Sequence, residues 1–231
     1  MFTGFREETL GFFLDLKFHN SVSFFHANHD RYVREVQQPF YSLIEDLAPD
    51  MLEIDAGMEV RPYKCLSHIH RDTRFTRDKS PYRDHLWLLF RHAAESRDQS
   101  LNYWFEFGPS RLSWGMGFWG ENREVMDQFR RYLAAKPGEF CRILKKVQME
   151  KNGLVLEGRI HKRMDIPPEL PDRMERWYRI REMYISQMNP DYHAAFSSEL
   201  VSLVRKDFQA LAPLYRLFRN MMEEPDLKGE A

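Results

Sequence analysis

The sequence predicts an α+β fold, and three observations carry that expectation. Apolar residues recur at spacings of three, four and seven near both ends of the chain, which is the stripe of an amphipathic helix. In the middle the period falls to two, as in half-buried strands. The strand-like runs follow one another through short turns, which favours antiparallel pairing, and their segregation from the helices separates this class from alternating α/β folds. The expected architecture is an antiparallel sheet of about five or six strands, with N-terminal and C-terminal helices packed on one face.

Each element has a local reason. Thr3 caps a first short helix carrying Leu10, Phe13, Leu14 and Leu16, and residues 18–21 break it. A longer helix opens at Ser21 or Ser23 and keeps Phe24, Phe25, Tyr32, Val36, Phe40, Leu43, Ile44 and Leu47 on one stripe. Pro39 marks a kink or a helical first turn, and Ala48-Pro49-Asp50 ends the segment. Residues 65–70 read as a strand entering a charged stretch, and residues 86–90 as a strand leaving it. Residues 101–108 and 111–118 form a hairpin around Gly108-Pro109-Ser110, with Gly115 and Gly117 marking a bulge or a close approach of backbone. Helices return over 121–135 and from Pro137 to about Val147, and a strand covers 154–160. Asp172 caps a helix through Ile185, and a last helical region covers 192–222 with Pro213 interrupting it. Residues 1–222 read as one domain and residues 223–231 as a frayed charged tail.

Composition narrows the function classes. A chain of 231 residues with 43% hydrophobic and 14% aromatic content supports a packed core. Its 34 basic and 35 acidic residues balance to a net charge of −1, which makes non-specific nucleic-acid binding an unfavoured reading. Cys65 and Cys141 are too few for a disulfide framework. The N-terminus has no basic-then-apolar signal arrangement, and no apolar run approaches the ~18 residues of a membrane span. A soluble cytoplasmic protein with no membrane association is the expectation. The oligomeric state has no signature.

One stretch suggests a site. From His70 to Arg83, seven of fourteen side chains are formally charged: Arg71, Arg74, Arg77, Lys79 and Arg83 alternate with Asp72 and Asp78. In a bent, strand-flanked loop these cations would converge on a carboxylate or phosphate, because a guanidinium fork makes two parallel hydrogen bonds to such groups. The aspartates would hold the arginines in place, Ser80-Pro81 would fix a turn, and Tyr82 would offer a hydroxyl. The competing reading is a solvated, self-paired salt-bridge loop of little energetic weight.

The same stretch, Arg71-Asp72-Thr73-Arg74-Phe75 followed by Asp78-Lys79-Ser80-Pro81-Tyr82-Arg83, resembles the signature of the family of domains of unknown function 2461. Asn28, Asp30, Arg31, Tyr32, Pro39 and Phe40 are similar to its N-terminal helical motif. Gly115-Met116-Gly117-Phe118 with Arg130 is similar to its middle motif, Lys162-Arg163 to its late basic pair and Ala212-Pro213 to its C-terminal pair. The chain departs from the pattern at residues 20–25 and at Met164-Asp165-Ile166. The resemblance implies a bacterial-type soluble α+β protein and supplies no activity. It adds Arg163 to the candidate set, because the family pattern pairs the central stretch with the late basic pair.

Other chemistries are weaker. His68 and His70 share a strand face and His85 lies beyond the charged stretch, but no histidine spacing supports a metal, and no metal or cofactor is expected. Ser113 and Cys65 have no evident base. Gly115-x-Gly117-x-x-Gly120 matches dinucleotide spacing but follows a hairpin and carries Phe118-Trp119, which rejects it as a nucleotide fingerprint. The ligand-binding set is therefore Arg71, Asp72, Arg74, Asp78, Lys79, Tyr82, Arg83 and Arg163, acting on a small anionic ligand. If the protein is an enzyme, an aspartate is the best general base and an arginine the electrostatic stabiliser, with no reaction attached. The alternative is a non-catalytic protein-interaction module using the same loop, with the aromatic hairpin as anchor.

Overall fold

A computed structural model describes residues 1–74, 76–187 and 190–223. The fold is α+β with a five-stranded antiparallel sheet, in the order β1-β2-β3-β5-β4. The strands are β1 (Leu86–Phe90), β2 (Leu101–Gly108), β3 (Arg111–Phe118), β4 (Leu154–Glu157) and β5 (Tyr184–Gln187). The helices are α1 (Glu7–Phe18), α2 (Val22–Ala27), α3 (His29–Tyr32), α4 (Gln38–Ile54), α5 (Pro62–Cys65), α6 (Arg123–Ala135), α7 (Pro137–Val147), α8 (Glu175–Arg179) and α9 (Glu199–Glu223). The charged tail expected from residue 223 lies, after Glu223, outside the described residues.

The contacts divide the chain into two compact units: residues 1–93, 104–114 and 189–206, and residues 94–103, 115–188 and 207–231. In the first unit, Phe5 is the hub of the core. Its ring lies 4.2 Å from Phe107 and 4.9 Å from Phe40, and Phe105 stands 6.3 Å from Trp114. Leu86, Leu88 and Phe90 of β1 point into this core on alternate positions, as period-two spacing requires. The stripe of α4 (Phe40, Leu43, Ile44, Leu47, Met51 and Ile54) is buried. Helix α4 runs through Pro49, where the sequence placed its end. The carbonyl deprived of a donor there belongs to Glu45, which is exposed and can turn to water.

In the second unit, Phe129 of α6 lies 5.2 Å from Phe140 of α7 and 4.8 Å from Phe218 of α9, while Trp177 closes on Phe140 at 5.1 Å. The helix expected from Asp172 to Ile185 is shorter. A 3-10 turn and α8 end at Arg179, and Tyr184–Gln187 form β5 between β3 and β4. Gly117 allows that pairing: a Cβ there would sit 2.3 Å from the Tyr184 Cβ and 2.6 Å from the Met183 carbonyl. This is the close approach its place in a strand implied. Pro213 lies inside α9 without ending it.

Candidate functional site

The charged stretch lies in the first unit, and its two ends are tied together. Arg71 N donates to the Pro81 carbonyl at 2.8 Å, Arg83 N donates to Ile69 at 2.9 Å, and one antiparallel bridge joins His70 to Tyr82. The strand expected over 65–70 is not continuous. Pro62 starts the helical turn α5 through Cys65, and beyond it only isolated bridges, Leu66 to Leu88 and His70 to Tyr82, are made. The entry to the loop is thus a helical turn followed by two single bridges.

Tyr82 anchors this base. It is buried, its ring stacks on Phe25 at 4.3 Å, and burial raises its hydroxyl above the ordinary tyrosine value. Its backbone is held from the other side by Asn20, whose Nδ2 donates to the Tyr82 carbonyl (2.9 Å) while its Oδ1 accepts from Tyr82 N (3.0 Å). Asn20 lies between the last turn of α1 and Ser21, which caps α2 by accepting from Phe24 N. A side-chain amide here makes the two bonds that a neighbouring strand would make.

Outside the base, the loop is exposed and charged. Arg74 grips Asp72 with its fork, Nε to Oδ1 at 3.0 Å and Nη2 to Oδ2 at 2.8 Å, and Arg74 N also donates to Oδ1. Arg71 donates to Asp78 Oδ2, and Ser80 N donates to Asp78 Oδ1. Lys79 Nζ donates to the Thr73 carbonyl at 2.7 Å, and Thr76 Oγ1 to that of Asp78. The Arg74 hydrogen bonds hold the Asp72 carboxyl at about 2. The Ser80 bonds, with Arg71 adding to them, do the same for Asp78. On the rim, the four cations Arg71, Arg74, Arg77 and Lys79 outnumber the two carboxylates Asp72 and Asp78 by two. Arg83 lies over the Trp87 ring, 4.6 Å from its centroid. Seven of the eight expected residues are thus in one loop. Arg163 is exposed in the second unit.

Beside the base lies a group to which the sequence assigned no joint role. His85 Nδ1 is 2.9 Å from Asp84 Oδ1, and its Nε2 is 3.4 Å from Glu106 Oε1, which also receives Arg111 at 3.2 Å. Burial works to raise the Asp84 carboxyl, and the His85 contact outweighs it, leaving it lowered. Gly108 makes room, since a Cβ there would lie 2.6 Å from the His85 Cβ. His68 and His70 are exposed, and among the described residues no three His, Cys, Asp or Glu side chains are grouped to hold a metal.

This is an α+β protein that displays a pinned, net-cationic Arg/Asp loop beside a buried tyrosine. The model of the family described as conserved hypothetical protein (DUF2461) matches residues 8–217, and the chain belongs to that family. No curated protein matches the chain. Among the described residues, no helix is long and apolar enough to cross a membrane.

Proposed function

We propose that the protein binds a small anionic ligand, bearing phosphate or carboxylate, at the loop 71–83. The observation that carries this reading is the contrast between base and rim. The base is fixed by Asn20, by Tyr82 and by two backbone hydrogen bonds. The rim keeps two more cations than carboxylates in solvent. Arg71 spends one of its five N–H donors on Asp78, and Arg77 has no ion pair among the described residues, so donors remain for an anion. Asp72 and Asp78 orient Arg74 and Arg71. The cytoplasm is the compartment that suits the two unpaired thiols.

A second reading has its own support. Both aspartates are already occupied by arginines of the same loop, as in a surface that meets a partner protein rather than a metabolite. The test is a melting-temperature screen against phosphate, phosphorylated metabolites, nucleotides and dicarboxylates, using the parent and the Arg71→Ala/Arg74→Ala variant. A ligand that binds only the folded state raises the melting temperature. A rise in the parent that the folded variant loses supports the anion site. A rise that the variant keeps, or none across the panel, removes it in favour of a partner surface.

A further inference from the structure

We infer that the first unit carries a second binding site, a cleft of about 390 Å³ at its N-terminal segment, and that it takes a small zwitterion such as a free amino acid or a short peptide. The cleft is lined by Thr3, Arg6, Glu8, Arg34, Gln38 and Ser42, with Gly4 and Glu35 in its wall. Its volume lies in the range of small-molecule pockets.

The chemistry follows from which charges are already satisfied. Glu35 is spoken for: its Oε1 takes Arg34 at 2.8 Å and its Oε2 takes Arg31 at 2.7 Å. Arg34 uses only Nη2 there. Among the described residues, the Arg6 guanidinium and the Glu8 carboxylate have no ion pair, although both line the same cleft. Opposite charges that share a cleft without pairing suit a ligand that carries both signs. Its carboxylate would meet Arg6 and the spare donors of Arg34, and its ammonium would meet Glu8. Thr3, Gln38 and Ser42 supply hydrogen-bonding groups between them.

The walls are built from two uncommon backbone conformations. Gly4 has φ of 107°, and a Cβ there would lie 2.5 Å from the Phe196 carbonyl, so the chain passes there only as glycine. Val33–Gln37 form a π-helical turn, whose Glu35 carbonyl accepts the Thr9 hydroxyl at 2.6 Å. Such turns are rare and concentrate at functional sites. Arg34 and Glu35 lie on this turn and Gln38 follows it, and all three line the cleft.

The experiment titrates the full chain with the L-amino acids and their glycyl dipeptides. Propionate and butylamine serve as single-charge halves. Binding is read by calorimetry on the parent, Arg6→Ala, Glu8→Gln and the double variant. These positions are exposed, so the variants should keep the parent melting temperature. The expected result is saturable binding of at least one zwitterion, weakened about tenfold or more in each single variant, with neither half binding comparably. The inference is overturned by no zwitterion binding to the parent, by equal binding of either half, or by affinity that survives in the double variant. Arg71→Ala should leave this binding unchanged, which separates it from the loop.

Discussion

Asn20 and Tyr82, 62 residues apart in the chain, are joined through both ends of one side-chain amide, at 2.9 and 3.0 Å. That pair fastens the charged loop to the turn between α1 and α2. In Asn20→Asp, an acceptor replaces the donor that faces the Tyr82 carbonyl, leaving that carbonyl without its partner. The expected cost is about 1–3 kcal/mol of stability, measured by urea unfolding. The amides of residues 71–83 should exchange with solvent faster. Unchanged exchange would mean that the loop is held by its backbone alone.

Gly117 sets the pairing of β3 with β5. Gly117→Ala places a methyl group 2.3 Å from the Tyr184 Cβ, against backbone that cannot swing away. The expected loss is about 1–3 kcal/mol or more by urea unfolding, whereas Gly138→Ala, with nothing within 4 Å, should be no less stable than the parent.

The Glu59–Arg61 pair gives a pH dependence. Hydrogen bonds from Arg61 hold the buried Glu59 carboxyl at about 2. A depressed carboxyl contributes stability that is present above its unfolded value and lost as pH falls through the folded one. The melting temperature of Glu59→Gln should therefore fall well below the parent's at pH 7. The gap should narrow between pH 4.5 and about 2. A gap that does not change with pH would assign the effect to packing.

The two thiols should differ in reactivity. Cys65 is buried, its thiol donates to the Glu59 carbonyl, and burial pushes it up to about 12. Cys141 is partly exposed and within reach of Arg173. At pH 8 a disulfide reagent should titrate one thiol in the native protein and two after denaturation. Two fast thiols in the native state would contradict the packing around Cys65.

These residues also show what the sequence reveals and what it hides. The hairpin of β2 and β3 was legible because Tyr103, Phe105 and Phe107 alternate over eight residues, long enough for a period to register. Pro39 was legible as a kink or a first helical turn, and it takes the second, where its fixed φ suits the first turn of α4. Strand β5 was hidden because it is four residues long and follows Asp172, which opens a 3-10 turn without capping it and so reads as the start of a long helix. Asn20 read as a helix breaker, since its partner is 62 residues away and no local pattern carries that contact. The charged loop was visible by composition. Its internal pairing, Arg71 with Asp78 and Arg74 with Asp72, was not, because alternation allows several partners for each arginine.

The most direct measurement is a titration of the isotopically labelled protein with inorganic phosphate, sugar phosphates and dicarboxylates, followed by amide NMR. If the loop is an anion site, one of these ligands produces saturable shifts concentrated in residues 71–83, and Arg71→Ala abolishes them. Saturable shifts elsewhere in the chain, or none in the loop at any concentration, would contradict it.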